Sequence, residues 1–246
     1  MAGPGPEPAH KSDLAELAED IFGLNFRSLR TVRDLVLFPG RVFAAYARGD
    51  HHTYTPAVRI WQTLIGLQMI LALVLGGYGE ILYGTLSEVP REDLDSFFGT
   101  GDLGPEAFQA WLEAMTGRYG DWAALLHAPL VGAFSALNLF LLKTRTHPLG
   151  WVRRLNITFA ILSTGSLLAL LSQPLLAIEP GLGLPLMLVV ATIYAIKIIR
   201  GAPGVLVETR AQAIGRAIGY SVITLILAVI GAGLVTFIAL CLALLG

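Results

Sequence analysis

Five long apolar stretches constrain this chain more than any other feature. They run over residues 60–83, 122–142, 155–171, 182–199 and 218–245, and each is nearly free of charge inside. Roughly 20 apolar residues in a helix match the about 30 Å hydrocarbon core of a bilayer. Only helices and closed barrels satisfy their backbone hydrogen bonds in lipid. The expected fold is therefore all-α: a polytopic bundle of five transmembrane helices with short interfacial amphipathic helices. Composition agrees, with hydrophobic residues at 54% and charged ones at 14%, where a soluble domain carries about a quarter charged.

The loop charges alternate. The segment ahead of the first stretch holds Lys11, Arg27, Arg30, Arg33, Arg41, Arg48 and Arg59. The connection 87–121 holds two basic residues against eight acidic ones. Residues 143–154 then carry Lys143, Arg145, Arg153 and Arg154, and the last connection carries Arg200, Arg210 and Arg216. Under the positive-inside rule this puts the N-terminus in the cytoplasm and the C-terminus outside. The chain divides into a cytoplasmic segment, 1–56, and a membrane domain, 57–246, with 87–121 as an acidic outer loop. The N-terminus lacks the basic and apolar regions of a signal peptide. Arginine outnumbers lysine 14 to 3, a bias of GC-rich bacterial genomes, so the expected location is a bacterial inner membrane.

Three amphipathic runs precede the first stretch. Residues 13–22 place Leu14, Leu17, Ala18, Ile21 and Phe22 on one helical face. Residues 28–37 form a second run, which Pro39-Gly40 interrupts, and 41–48 form a third that ends at Gly49. Arg41, Tyr46, Tyr54 and Arg59 cluster where the chain bends into the first span around Pro56. They form either a structural corner or a lipid head-group site, since arginine reaches both helix-end carbonyls and phosphates.

The strings Thr31-Val-Arg-Asp-Leu35, Pro39-Gly-Arg41, Tyr46-Ala-Arg-Gly49 and Tyr54-Thr-Pro-Ala-Val-Arg59 resemble the opening module of a family of uncharacterised bacterial polytopic membrane proteins. The resemblance covers most of residues 28–230 and is strongest over 31–59. Many relatives begin with a cysteine-rich zinc ribbon, which a chain with one cysteine cannot form, and often carry a histidine where this chain has Asn156. The resemblance implies membrane residence and topology but no activity. Topology alone is similar to the five-span Yip1-like families.

Polar residues inside spans are the usual mark of function. Here they are Glu80, His127, Asn138 and Asn156, candidate intramembrane polar sites that also suit helix-to-helix hydrogen bonds. No pair of intramembrane carboxylates, no nucleotide-binding loop and no metal-ligand spacing accompanies them. The expected site therefore has no catalytic residue, no metal and no cofactor. Gly132-x-x-x-Ala136 and Gly215-x-x-x-Gly219 mark expected packing faces, Gln173-Pro174 an expected end of the third span, and 76–79 a glycine-rich piece of continuous helix. Residues 105–117 form an expected separate outer helix with Phe108, Trp111, Leu112 and Met115 on one face.

The sequence thus points to a non-enzymatic scaffold, assembly factor or accessory protein. A small transporter or channel is the alternative, and a lipid-modifying enzyme a third reading. Expected partners are membrane lipids and other membrane subunits or a second copy; nucleic acid is not expected.

Overall fold

The computed structural model describes residues 26–50, 52–142 and 149–245; the expected helix at 13–22 lies outside them. Two short helices come first, α1 (Phe26–Leu37) and α2 (Pro39–Arg48). Pro39 opens α2, where a missing N–H costs nothing. Gly49 ends it in the left-handed region at φ 77°, donating to Tyr46 O while Asp50 N donates to Ala45 O, a Schellman pattern that glycine permits.

Among the described residues five helices are long and apolar enough to cross a membrane: α3 (Ala57–Leu75), α6 (Pro105–Ala136) with its 3-10 continuation Leu137–Leu142, α7 (Trp151–Ile178), α8 (Gly183–Gly201) and α9 (Arg210–Leu245). Between α3 and α6 lie α4 (Tyr78–Ser87) and α5 (Arg91–Phe98). Only 17–28% of the most apolar window of each span is buried by the rest of the chain. Residues such as Ile218, Val229 and Phe237 are more than half exposed, a surface that suits lipid rather than water. The chain is a multi-pass membrane protein with an all-α fold.

The spans close into a ring: α3 packs on α7, α7 on α8, α8 on α9, α9 on α6, and α6 back on α3. Two apolar clusters cap the ring. At the end bearing the arginine-rich segments, here the basic end, Phe43, Tyr46 and Tyr54 pack with Ile157, Ile161, Ile198 and Tyr220. At the opposite, acidic end, Leu94, Phe108, Leu112 and Met115 pack with Val235, Ala239 and Ala243 of α9.

Four details depart from the sequence reading. The first apolar stretch is not one helix: it breaks at Gly76 and Gly77, with φ of 67° and 101°. Both angles favour glycine, and hydropathy is blind to such a break. The helix expected at 105–117 does not stop but runs on as one piece into the second span. Its Phe108, Leu112 and Met115 face packs with α9 and α5. Pro174 lies inside α7, which continues to Ile178, as membrane helices allow when neighbours re-satisfy the backbone. Gly215 and Gly219 have nothing within 4 Å of an added Cβ, so they make no close packing face. Close approach occurs instead where α4 crosses α6. There a Cβ on Gly79 would meet Thr116 O at 2.6 Å, and one on Gly120 would meet Gly79 N at 2.9 Å.

Candidate functional site

The basic end is built around one short segment, Tyr54-Thr55. Thr55 N donates to Thr31 Oγ1 at 3.0 Å, Thr55 O accepts from Tyr46 Oη at 2.5 Å, and Thr55 Oγ1 lies 3.1 Å from Ser28 Oγ. Tyr54 Oη donates to Asp34 Oδ2 at 3.0 Å. Asp34 is buried, and its Oδ1 also accepts from Arg33 Nε at 2.9 Å and Nη2 at 2.8 Å. Burial by itself raises the Asp34 pKa. The hydrogen bonds from Arg33 and Tyr54, with the charges of Arg33 and Arg30, outweigh it and hold the carboxyl below its ordinary value. Burial pushes the hydroxyls of Tyr46 and Tyr54 up, and for Tyr54 the bond to Asp34 adds to the effect. Asp50 closes the turn before this dipeptide, accepting from Thr53 Oγ1 at 2.6 Å and from the Thr53 and His52 amides at 3.0 Å. Those bonds hold its carboxyl at about 2.

Side chains of the spans close the helix ends here. Lys197 Nζ donates to Leu35 O at 2.9 Å and Val36 O at 2.6 Å, and Arg200 Nη2 to Leu37 O at 3.0 Å. These are the orphan carbonyls at the end of α1, and a cation there also suits the helix dipole. Arg153 Nη1 donates to Ala47 O at the end of α2. Asn156 Oδ1 accepts from Ala57 N at the start of α3, at 3.1 Å.

The four residues expected at this corner therefore separate. Tyr46 and Tyr54 are buried in it, with ring centroids 6.4 Å apart. Arg41 and Arg59 are exposed, and Arg41 stacks on Phe38 at 4.6 Å. The charged groups that build the corner are Asp34, Arg33, Lys197 and Arg153. Lys197 was legible as a charge amid apolar neighbours, but its bonds to the end of α1, more than 160 residues away, were not.

Inside the ring, between the two apolar clusters, lies a cavity of about 420 Å³ touched by all five spans. That is within the usual range for a small-molecule site. Its walls are mainly apolar. Gln68 and Gln173 cross one side: Gln68 Nε2 bonds Ser166 O, and Gln173 Nε2 donates to Gln68 O at 3.0 Å. Gln173 Oε1 is buried and has no partner among the described residues. His127 lines the wall near the α3–α4 break, its ring centroid 5.4 Å from that of Tyr78. Toward the basic end the floor is tight. Trp61 and Phe159 pack at 4.7 Å and Tyr194 and Tyr220 at 6.2 Å, and a Cβ on Gly132 would meet the Trp61 ring at 2.4 Å.

Toward the acidic end the cavity meets a second recess of about 500 Å³ at Ala72, Gly76, Gly77, Tyr78 and Ala124. Glu80, Glu113 and Asp121 line that recess and are exposed. The four intramembrane candidates thus have four different settings. Glu80 sits at the mouth and His127 in the wall. Asn138 lies beneath the floor, donating to Thr224 Oγ1 at 2.5 Å, and Asn156 caps α3. Sequence reasoning missed Gln68 and Gln173; two glutamines inside apolar runs were the available signal. Among the described residues no group of three His, Cys, Asp or Glu side chains could hold a metal ion.

Comparison with models of protein families, with curated proteins and with solved structures finds no match to the chain.

Proposed function

We propose that this chain is a non-enzymatic membrane protein that takes an apolar or amphipathic small molecule, such as a lipid tail, into its helix ring. The transporter alternative is thereby preferred to a pure scaffold. The observation that carries it is the cavity lined by all five spans, which shares Ala72, Gly76, Gly77, Tyr78 and Ala124 with the recess at the acidic end. Its walls offer apolar contact and amide groups but no paired acid and base, which supports binding over catalysis. The carboxylates of Glu80, Glu113 and Asp121 at the mouth disfavour an anionic ligand and admit a neutral or cationic one. The alternating loop charges support a cytoplasmic basic end with the mouth outside, and the arginine bias supports a bacterial inner membrane.

The test is extraction in mild detergent followed by mass spectrometry of bound small molecules. Ala128→Trp and Ala228→Trp, two separate cavity-lining changes, should each strip the ligand from a chain that still elutes as a folded species. A wild-type chain from which no bound small molecule is recovered, or a ligand retained by both filled variants, would overturn the proposal.

A further inference from the structure

Helix α1 is built inside out. Its buried positions are Ser28, Thr31, Asp34 and Leu35, three of them polar. Its outward positions hold Phe26 at 87% exposure, Leu29 at 59%, Val36 at 40% and Leu37 at 48%, followed by Phe38 at 44%. A helix turned toward water buries its apolar stripe; this one presents it.

The outward face is also cationic. Arg30 and Arg33 stand among the apolar residues with side chains 50% and 62% exposed. Both lean on the single buried carboxylate of Asp34, Arg33 by two nitrogens on one oxygen and Arg30 at 3.9 Å. Each guanidinium has five N–H donors in a planar fork, so these contacts leave donors pointing outward. Arg41 extends the row, lying over Phe38. Two guanidinium groups therefore share one carboxylate on an apolar surface, with the third beside them.

The level of α1 is fixed as well. Its last three carbonyls are held by Lys197 and Arg200, which stand in the final turns of the span α8. The end of a span lies at the head-group layer, so α1 is pinned at that depth, beside the lipid-facing surface that includes Ile196.

We propose that the outward face of α1 is a binding surface for anionic phospholipid. Phe26, Leu29 and Leu37 enter the acyl boundary, and Arg30, Arg33 and Arg41 hold head-group phosphates. An interfacial helix with this mixture of aromatic, leucine and arginine binds through buried apolar area plus attraction to anionic lipid. The bidentate geometry of arginine suits phosphate better than a point charge does. Each arginine near such a surface is worth roughly a five-fold preference for anionic over zwitterionic lipid. The inference is independent of the cavity and of which side of the membrane the basic end faces.

The test uses the full chain with Cys241→Ser and Leu29→Cys carrying an environment-sensitive fluorophore. It is reconstituted in phosphatidylcholine vesicles with and without an equal part of phosphatidylglycerol. Blue-shifted emission, quenched by nitroxides high on the lipid acyl chains and strengthened by phosphatidylglycerol, is expected. Native mass spectrometry should find several-fold fewer phosphatidylglycerol molecules retained by Arg41→Gln, which leaves every Asp34 bond in place. Arg30→Lys/Arg33→Lys, which keeps the charge, should retain most of them. Water-like emission in both vesicles would overturn the proposal. So would retention unchanged in Arg41→Gln. Blue emission that lipid nitroxides cannot quench until residues 1–24 are deleted would also overturn it, because the chain itself would be the occupant.

Discussion

Removing the Asp34 carboxylate should loosen the whole basic end, and the structure sets the size of the effect. Asp34→Ala deletes four contacts: Arg33 Nε at 2.9 Å, Arg33 Nη2 at 2.8 Å, Arg30 Nε at 3.9 Å and Tyr54 Oη at 3.0 Å. The first three end on side chains that are 62% and 50% exposed, so both arginines regain water and the loss is that of surface pairs, about 0–1 kcal/mol. The Tyr54 hydroxyl cannot regain water, because Tyr54 is 4% exposed. An orphaned buried donor costs about 1–3 kcal/mol. The expected total is about 1–4 kcal/mol. Asp34→Asn keeps an acceptor for Tyr54 and should cost about 1 kcal/mol. Asp34→Ala/Tyr54→Phe removes donor and acceptor together and should be less destabilised than the sum of the single changes.

The assay is unfolding in mixed micelles followed by tryptophan fluorescence, with hydrogen exchange of the α1 amides as the local readout. The pH dependence follows from the sign of the shift. The folded carboxyl lies below its ordinary value of 3.8, so its stabilisation is complete above that value and is lost as pH falls through the folded value. The gap between wild type and Asp34→Asn should therefore close only in strong acid. An Asp34→Ala chain as stable as wild type, or strict additivity in the cycle, would refute the reasoning.

Three further outcomes follow from particular contacts. Lys197→Met leaves Leu35 O and Val36 O without their donor and should cost about 2 kcal/mol, read as faster hydrogen exchange at the end of α1 alone; unchanged exchange there would mean the carbonyls find water. Gly165→Ala puts a Cβ 2.1 Å from Tyr194 Oη and should cost about 1–3 kcal/mol by overpacking; adding Tyr194→Phe should recover only part, because ring carbons remain at 2.6 and 2.7 Å, and full recovery would show the ring shifts freely. Arg59→Ala alters an exposed side chain and should change stability by no more than about 0.5 kcal/mol, measured by the same unfolding assay; a loss of more than about 1 kcal/mol would reveal a partner at that surface.

The amino-acid sequence by itself determined that this chain has five spans, all-α architecture and two ends of opposite charge. Hydropathy and charge are properties of single residues averaged over a window, and a bilayer acts on them one segment at a time. Local turn chemistry was legible too: Pro39 and Gly49 bracket α2 because both act through their own backbone. The tertiary structure alone decided the rest. Two glycines inside an apolar run break α3 from α4, while two others at helical spacing, Gly215 and Gly219, touch nothing; both pairs look alike until the neighbouring helix is known. Arg59 and Lys197 are both cations at a span end, yet one is exposed and the other closes a helix 160 residues away. The cavity belongs to no segment at all. It exists because the five spans pack as a ring, and the order of spans around a ring is set by side-chain fit between helices, a pairwise property that no single stretch of sequence carries.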